Sequence, residues 1–243
     1  MPSVHRRLSD VCFFCSYLTY IERVLPMRCF VDMMQLGVFP TAKDVSESMG
    51  ALQAASQFAF SEQHADASAR QFNPRGEFVV KTWRDPGTLV LAIGDGTTPR
   101  TAALVSFMTQ WTAISIDPEL QDKWCGANPQ EVERLHGVRG TFEQWMDDLR
   151  TGAAALPSGV LGHVHTLVLL CVHSHNQFRG AASLDRIRER FPVGRICLVS
   201  LPCCQRFNPR HDLGRAPDVS YEDMSIFSAH RKVNIWLFSA PKS

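Results

Sequence analysis

The sequence has no run of about 18 apolar residues, so a membrane-spanning helix is not expected. It also lacks an excess of charge of either sign. Twenty-five Lys and Arg against 24 Asp and Glu leave a formal net charge of +1, and no global field draws in nucleic acid or an anionic membrane. Charged residues make up 20% and hydrophobic ones 45%, a balance that excludes a disordered chain. No second CxxC answers Cys12-Phe-Phe-Cys15, which removes the zinc ribbon and makes two positions on an apolar helix the simpler account. The eight cysteines, in a chain of 243 residues without a signal-peptide pattern, are expected to be reduced thiols of an intracellular protein, cytoplasmic or mitochondrial. The mitochondrial option rests on Arg6, Arg7, Arg23 and Arg28, which flank an apolar stretch interrupted by Asp10 and Glu22.

What is present divides into three segments. Residues 1–60 read as an N-terminal helical extension: Val11 to Leu25 ended by Pro26, Cys29 to Leu36 closed by Gly37, and a third helix to about Phe60 capped by Thr41, with Asp44 in its first turn. Residues 61–86 read as a polar connecting segment with one short strand at Phe78 to Thr82. Residues 87–243 alternate strands and helices. Strands are expected at Leu89 to Ile93, Trp111 to Ile116, near Val138, at Thr166 to Val172 and at Arg195 to Leu201, with helices at Thr101 to Thr109 and Ala181 to Phe191. Met224 to Phe227 and Lys232 to Phe238 are expected to close the sheet as an antiparallel pair. The fold class this predicts is α/β, a three-layer Rossmann-like sheet, mostly parallel with a C-terminal antiparallel hairpin, preceded by the helical extension.

The chemistry gathers after the first strand. The turn Gly94-Asp95-Gly96-Thr97-Thr98 lets backbone approach a ligand that the next helix N-terminus would polarise. No Gly-Lys-Ser/Thr follows, so it is not a Walker A loop, and the full GxGxxG is missing. Asp117 ends the second strand about 20 residues on, where a Rossmann protein holds a ribose diol; the alternative is that it caps the segment after Pro118. Val90-Leu-Ala-Ile-Gly-Asp-Gly-Thr-Thr98 resembles the first motif of the class I S-adenosylmethionine-dependent methyltransferases, a resemblance that covers roughly residues 87–238. It implies S-adenosylmethionine as cofactor, bound by Gly94, Asp95, Gly96, Thr97 and Thr98, with Asp117 on the ribose. Ala92 stands where the family usually has an acid, and Thr98 where it usually has a third glycine.

Two loops compete for the catalytic role. Val172-His173-Ser174-His175-Asn176-Gln177 occupies the place of the family's substrate-facing motif. His173 or His175 would be a general base and Asn176 would orient a substrate amine or base edge, or the histidines are satisfied groups at a strand end. Cys203 lies in a Cys-Gln-Arg-Phe stretch partly like the nucleophile loop of cytosine-5 methyltransferases, but it follows the fifth strand rather than the fourth, and two structural cysteines are the favoured account. A metal held by His163, His165, His173 and His175 with Cys203 and Cys204 ranks below these, and no metal is expected. The function expected is methyl transfer to RNA or an RNA-associated protein. The alternative is a catalytically inactive, methyltransferase-like structural or RNA-binding subunit of a larger assembly.

Overall fold

The computed structural model describes residues 18–60, 82–127, 129–157, 160, 162–176, 178, 181–204 and 209–239. The Cys12 and Cys15 pair and residues 78–81 of the expected short strand lie outside them. No helix among the described residues is long and apolar enough to cross a membrane.

Residues 18–24 are helical and lead to α1 (Phe30–Gln35) and α2 (Ala42–Phe58). Side chains open α2 as the sequence predicts. The Thr41 hydroxyl accepts the Asp44 amide and the Asp44 carboxylate accepts the Thr41 amide, so two orphan donors are satisfied reciprocally. The helix is rich in Ala, Ser and Gly, and such small side chains let it lie close on the sheet. At Gly50 an added Cβ would meet Ile226 Cδ1 at 2.6 Å.

The remaining elements are β1 (Thr88–Ile93), α3 (Arg100–Met108), β2 (Thr112–Asp117), β3 (Gly126–Ala127), β4 (Leu135–Arg139), α4 (Phe142–Thr151), β5 (Thr166–Val172), α5 (Ala181–Arg190), β6 (Arg195–Leu201), α6 (Pro209–Leu213), β7 (Val219–Glu222) and β8 (Lys232–Ser239). The strands form one sheet in the order β3-β4-β2-β1-β5-β6-β8-β7. The run β4-β2-β1-β5-β6 is parallel, and β8 joins β6 antiparallel. The chain builds outward from β1 through β2 to β4, then returns to place β5 on the other side of β1. The strand order therefore reverses between β1 and β5, the position at which open α/β sheets bind ligands.

Period-two alternation splits the strands between two cores. Val90, Ala92, Val168, Leu170, Val199 and Ile235 face α2 and α3, while Leu89, Leu91, Leu167, Leu169, Leu198 and Trp236 face α4 and α5. Every residue of β1 is buried, as a central parallel strand covered on both faces requires. Helix α2 packs on α3, β6 and β8 within the first of these cores. Residues 30–58, set apart in the sequence as an extension, thus pack together with α3 in one layer on the sheet, and Phe58, the last residue of α2, is buried in that core.

The closing hairpin differs from expectation in its first arm, which is Val219–Glu222 rather than Met224 to Phe227. Residues 224–227 turn instead. The Asp223 carboxylate accepts the Ser225 amide, and the Phe227 amide donates 2.9 Å to Ser46 Oγ on α2. Ile226 is buried by insertion against Gly50, so its apolar signal comes from a tertiary contact and not from strand pairing.

Candidate functional site

Beyond the carboxyl ends of β1, β2, β4 and β5 lies a cleft of about 730 Å³. Its walls include Gly94, Gly96, Arg100, Asp117, Phe142, His173, His175 and Asn176, with Ile93, Ile116 and Val172 as apolar surface. Three of the four parallel strands that reach it carry residues named from sequence.

Gly94 adopts φ +71°, and a Cβ there would lie 2.4 Å from Ser174 Oγ. Its missing side chain admits the loop after β5. Gly96, at φ +90°, would press a Cβ to 2.9 Å from the Arg100 guanidinium, which in turn pairs with Asp44 on α2 at 2.5 Å. The glycines are needed by the protein's own packing as well as by any ligand.

The Asp95 carboxylate does not face the cleft. Asp95 accepts the Thr101 amide at 2.8 Å, the Ala102 amide at 3.1 Å and the Ser115 hydroxyl at 3.1 Å. Burial pushes its pKa up against these hydrogen bonds. The expected use of the α3 N-terminus to polarise a ligand is thereby corrected, because the Asp95 carboxylate already occupies those amides. Neither threonine of the turn lines the cleft: the Thr98 hydroxyl donates to the Val38 carbonyl at 3.3 Å, and the Thr97 carbonyl accepts the Gln121 amide at 3.1 Å.

Asp117 ends β2 and is in the cleft wall. Oδ2 accepts the Gly96 amide at 2.9 Å and Oδ1 the Glu119 amide at 2.7 Å. The carboxylate caps the following turn, the second of the two sequence alternatives, and it also lines the cleft. Each oxygen keeps lone-pair capacity toward it.

His173 closes β5 at φ +51°, and its amide donates to the Leu201 carbonyl at 2.9 Å. Its Nε2 lies 2.6 Å from Glu47 Oε1 on α2. Glu47 is nearly buried, with 3% of its side chain exposed, and also pairs with Lys43 at 2.9 Å. Nδ1 of His173 and Nδ2 of Asn176 are buried without a hydrogen-bond partner among the described residues. His175 Nε2 sits 3.2 Å from Cys203 Sγ.

Cys203 follows β6, the fifth strand of the parallel set, and is not in the cleft wall. Burial and the neighbouring Cys204 thiol push its pKa up, which leaves little thiolate to attack a ring. The buried thiol of Cys171 is pushed up to about 12 by burial alone, consistent with a packing role. His165 stands before the opposite end of β5, 3.2 Å from Asp85, about 26 Å of extended chain away from His173.

Sequence reasoning missed Glu47, Arg100 and Ser174. None of the three carried a local signal; the burial of Glu47 with Asp44, Ser46 and Ser48 in α2 appears only in the structure.

A scan of known protein-family models and a search of curated proteins by sequence each return no match. Among solved structures, a cyclopropane-fatty-acyl-phospholipid synthase-like protein from Lactobacillus casei aligns at TM-score 0.36 and 15% identity over 67% of this chain. The match spans 53% of that protein, about half its length. The antibiotic-resistance methyltransferase Kmr aligns at TM-score 0.37 and 14% identity, covering 64% of this chain and 87% of Kmr. A mutant of MtNAS aligns at TM-score 0.35 and 14% identity, covering 81% and 72% of the two chains. Likeness at this level carries no functional weight; the strand order and the cleft do.

Proposed function

We propose that the cleft over β1 and β2 binds S-adenosylmethionine and that the protein is a methyltransferase whose acceptor is presented at the loop from His173 to Asn176. The observation that carries this reading is Asp117 at the tip of β2, in the wall of a cleft of about 730 Å³ that spans the reversal in strand order. A ribose diol donates two hydrogen bonds, which the two Asp117 oxygens can accept beside the amides they already hold. Ile93, Ile116 and Phe142 offer apolar surface to a base. When bound, the cofactor supplies an electrophilic methyl group.

The chain's own residues would orient the acceptor. With Nε2 of His173 engaged by Glu47, Nδ1 is the ring atom left to take a proton, and the unpartnered Asn176 amide is a donor for an acceptor carbonyl or ring nitrogen. RNA or an RNA-associated protein is the acceptor class we assign, supported by the polar character of this loop. Calorimetric titration with S-adenosylmethionine tests the cofactor. Absence of heat at high micromolar cofactor, with an unmoved thermal midpoint, sinks the reading. Labelled methyl transfer to separated RNA and protein fractions tests the acceptor.

A second reading is a cofactor-free subunit of a larger assembly that keeps the architecture alone. It is favoured by one set of contacts: Asp95 fills the α3 N-terminus, and both Asp117 oxygens already accept internal amides. Purification as a stable monomer that binds S-adenosylmethionine counts against it.

A further inference from the structure

The loops after β5 and β6 leave the sheet side by side. Val172 pairs with Leu201 in parallel register, and the His173 amide extends that ladder by one bond to the Leu201 carbonyl at 2.9 Å. Two residues beyond each of these positions come His175 and Cys203, and Cys204 follows. The imidazole Nε2 and the Cys203 thiol are 3.2 Å apart, and one ligand atom from each of His175, Cys203 and Cys204 lies within 4.8 Å of the others. The convergence that strand alternation could not predict is therefore present, but for this trio and not for His163 or His165.

We propose that His175, Cys203 and Cys204 bind a zinc-type divalent cation. Tetrahedral zinc with one imidazole and two thiolates places its ligand atoms roughly 3.6 Å apart for nitrogen and sulfur and roughly 3.8 Å apart for the two sulfurs. The His175–Cys203 pair must open by a few tenths of an ångström, and the 4.8 Å bound on the other pairs asks for at most about 1 Å of closure in partly or fully exposed side chains. Two thiolates and a neutral imidazole match a borderline-soft cation better than magnesium or calcium, which take oxygen ligands. Each thiol releases its proton as the metal binds. Exposure of His175 and Cys204 leaves an entry path.

Three protein ligands leave a fourth position for water or an acceptor atom, as in catalytic rather than structural zinc centres. His175 is also part of the cleft wall, which puts that position at the cleft's edge. The site does not depend on the methyl-donor reading, and its test needs no methyl transfer.

The test is titration of the reduced, metal-free full chain with cobalt(II), followed by absorption, and with zinc(II), followed by competition with a chromophoric chelator. One equivalent per chain with thiolate-to-cobalt charge-transfer bands is expected. Cys203→Ser combined with Cys204→Ser should abolish the bands. His175→Ala should weaken binding by more than the roughly ten- to hundredfold that loss of an outer partner costs. Cys12→Ser combined with Cys15→Ser should leave binding intact. No bands in the wild-type chain, bands that survive the Cys203 and Cys204 double variant, or loss confined to the Cys12 and Cys15 variant would each overturn the proposal. Far-ultraviolet circular dichroism establishes that each variant compared is folded.

Discussion

His173 and Glu47 stand 126 residues apart in sequence, yet Nε2 of the first lies 2.6 Å from Oε1 of the second. The contact ties α2 to the end of β5 and fixes which imidazole nitrogen remains available. It also holds a residue at positive φ, where a non-glycine side chain carries strain unless its surroundings hold it.

The first prediction follows from the Glu47 carboxylate. Burial pushes its pKa up, but hydrogen bonds from His173 and Lys43 outweigh this and leave it below its ordinary value. The unfolded chain then holds this proton at higher pH than the fold does. The stability it contributes is present above the unfolded value, about 4.3, and is lost as pH falls through the folded one. Urea unfolding between about pH 7 and about pH 3 should show the loss, and Glu47→Gln should flatten it at a cost of about 2 kcal/mol near neutrality. An unchanged acid limb in the variant refutes the assignment.

Gly94 and Ser174 give a second prediction. Gly94→Ala combines about 1 to 2 kcal/mol of left-handed backbone strain with overpacking against Ser174. A total loss of about 3 kcal/mol is expected in chemical unfolding. Adding Ser174→Gly should return the steric part but not the backbone part. Full recovery, or none, contradicts the close approach of these two loops.

Tyr20 and Asp223 hold the N-terminal helical residues to the closing hairpin. The Tyr20 hydroxyl donates to Asp223 Oδ2 at 2.6 Å, and both side chains are buried. Tyr20→Phe leaves a buried carboxylate oxygen short of a donor, and a loss of about 1 to 3 kcal/mol should follow. Cleavage by protease near residue 25 should become faster in the variant. If it does not, this hydrogen bond is not what docks the segment.

The central elements were legible because parallel strands buried on both faces are written as continuous apolar runs. Leu89 to Ile93 and Leu167 to Val172 are such runs, Ile196 to Val199 is a shorter one, and Asp117 stands where its strand ends. Local chemistry also spoke plainly at Thr41 and Asp44, whose capping box is a three-residue signal. What failed to show was non-local. Nothing near Ile226 announces that Gly50 will receive it, and nothing near Glu47 announces His173. The family resemblance made Asp95 a ligand-facing residue, although its nearest unsatisfied donors were the amides of the helix it precedes. The meeting of His175 with Cys203 depends on β5 and β6 being neighbours, a property of strand order and not of either loop.

Asp95 and Asp117 separate architecture from chemistry, because one carboxylate, in the turn after β1, caps α3 while the other, at the tip of β2, lines the cleft. Asp95→Ala removes the acceptor of two α3 amides and of Ser115, so stability should fall by about 2 kcal/mol, the upper range for a lost helix cap. Asp117→Ala removes the carboxylate that lines the cleft. If the methyl-donor reading holds, it should weaken S-adenosylmethionine binding at least about tenfold, equivalent to about 1.4 kcal/mol, while Asp95→Ala leaves the affinity of the remaining folded protein within about threefold. Calorimetric titration at a temperature well below both unfolding midpoints checks the pair. Equal loss of affinity in the two variants would mean that the turn acts as a unit and that Asp117 has no separate ligand contact. Binding unaffected by Asp117→Ala would remove the residue on which the proposed site depends.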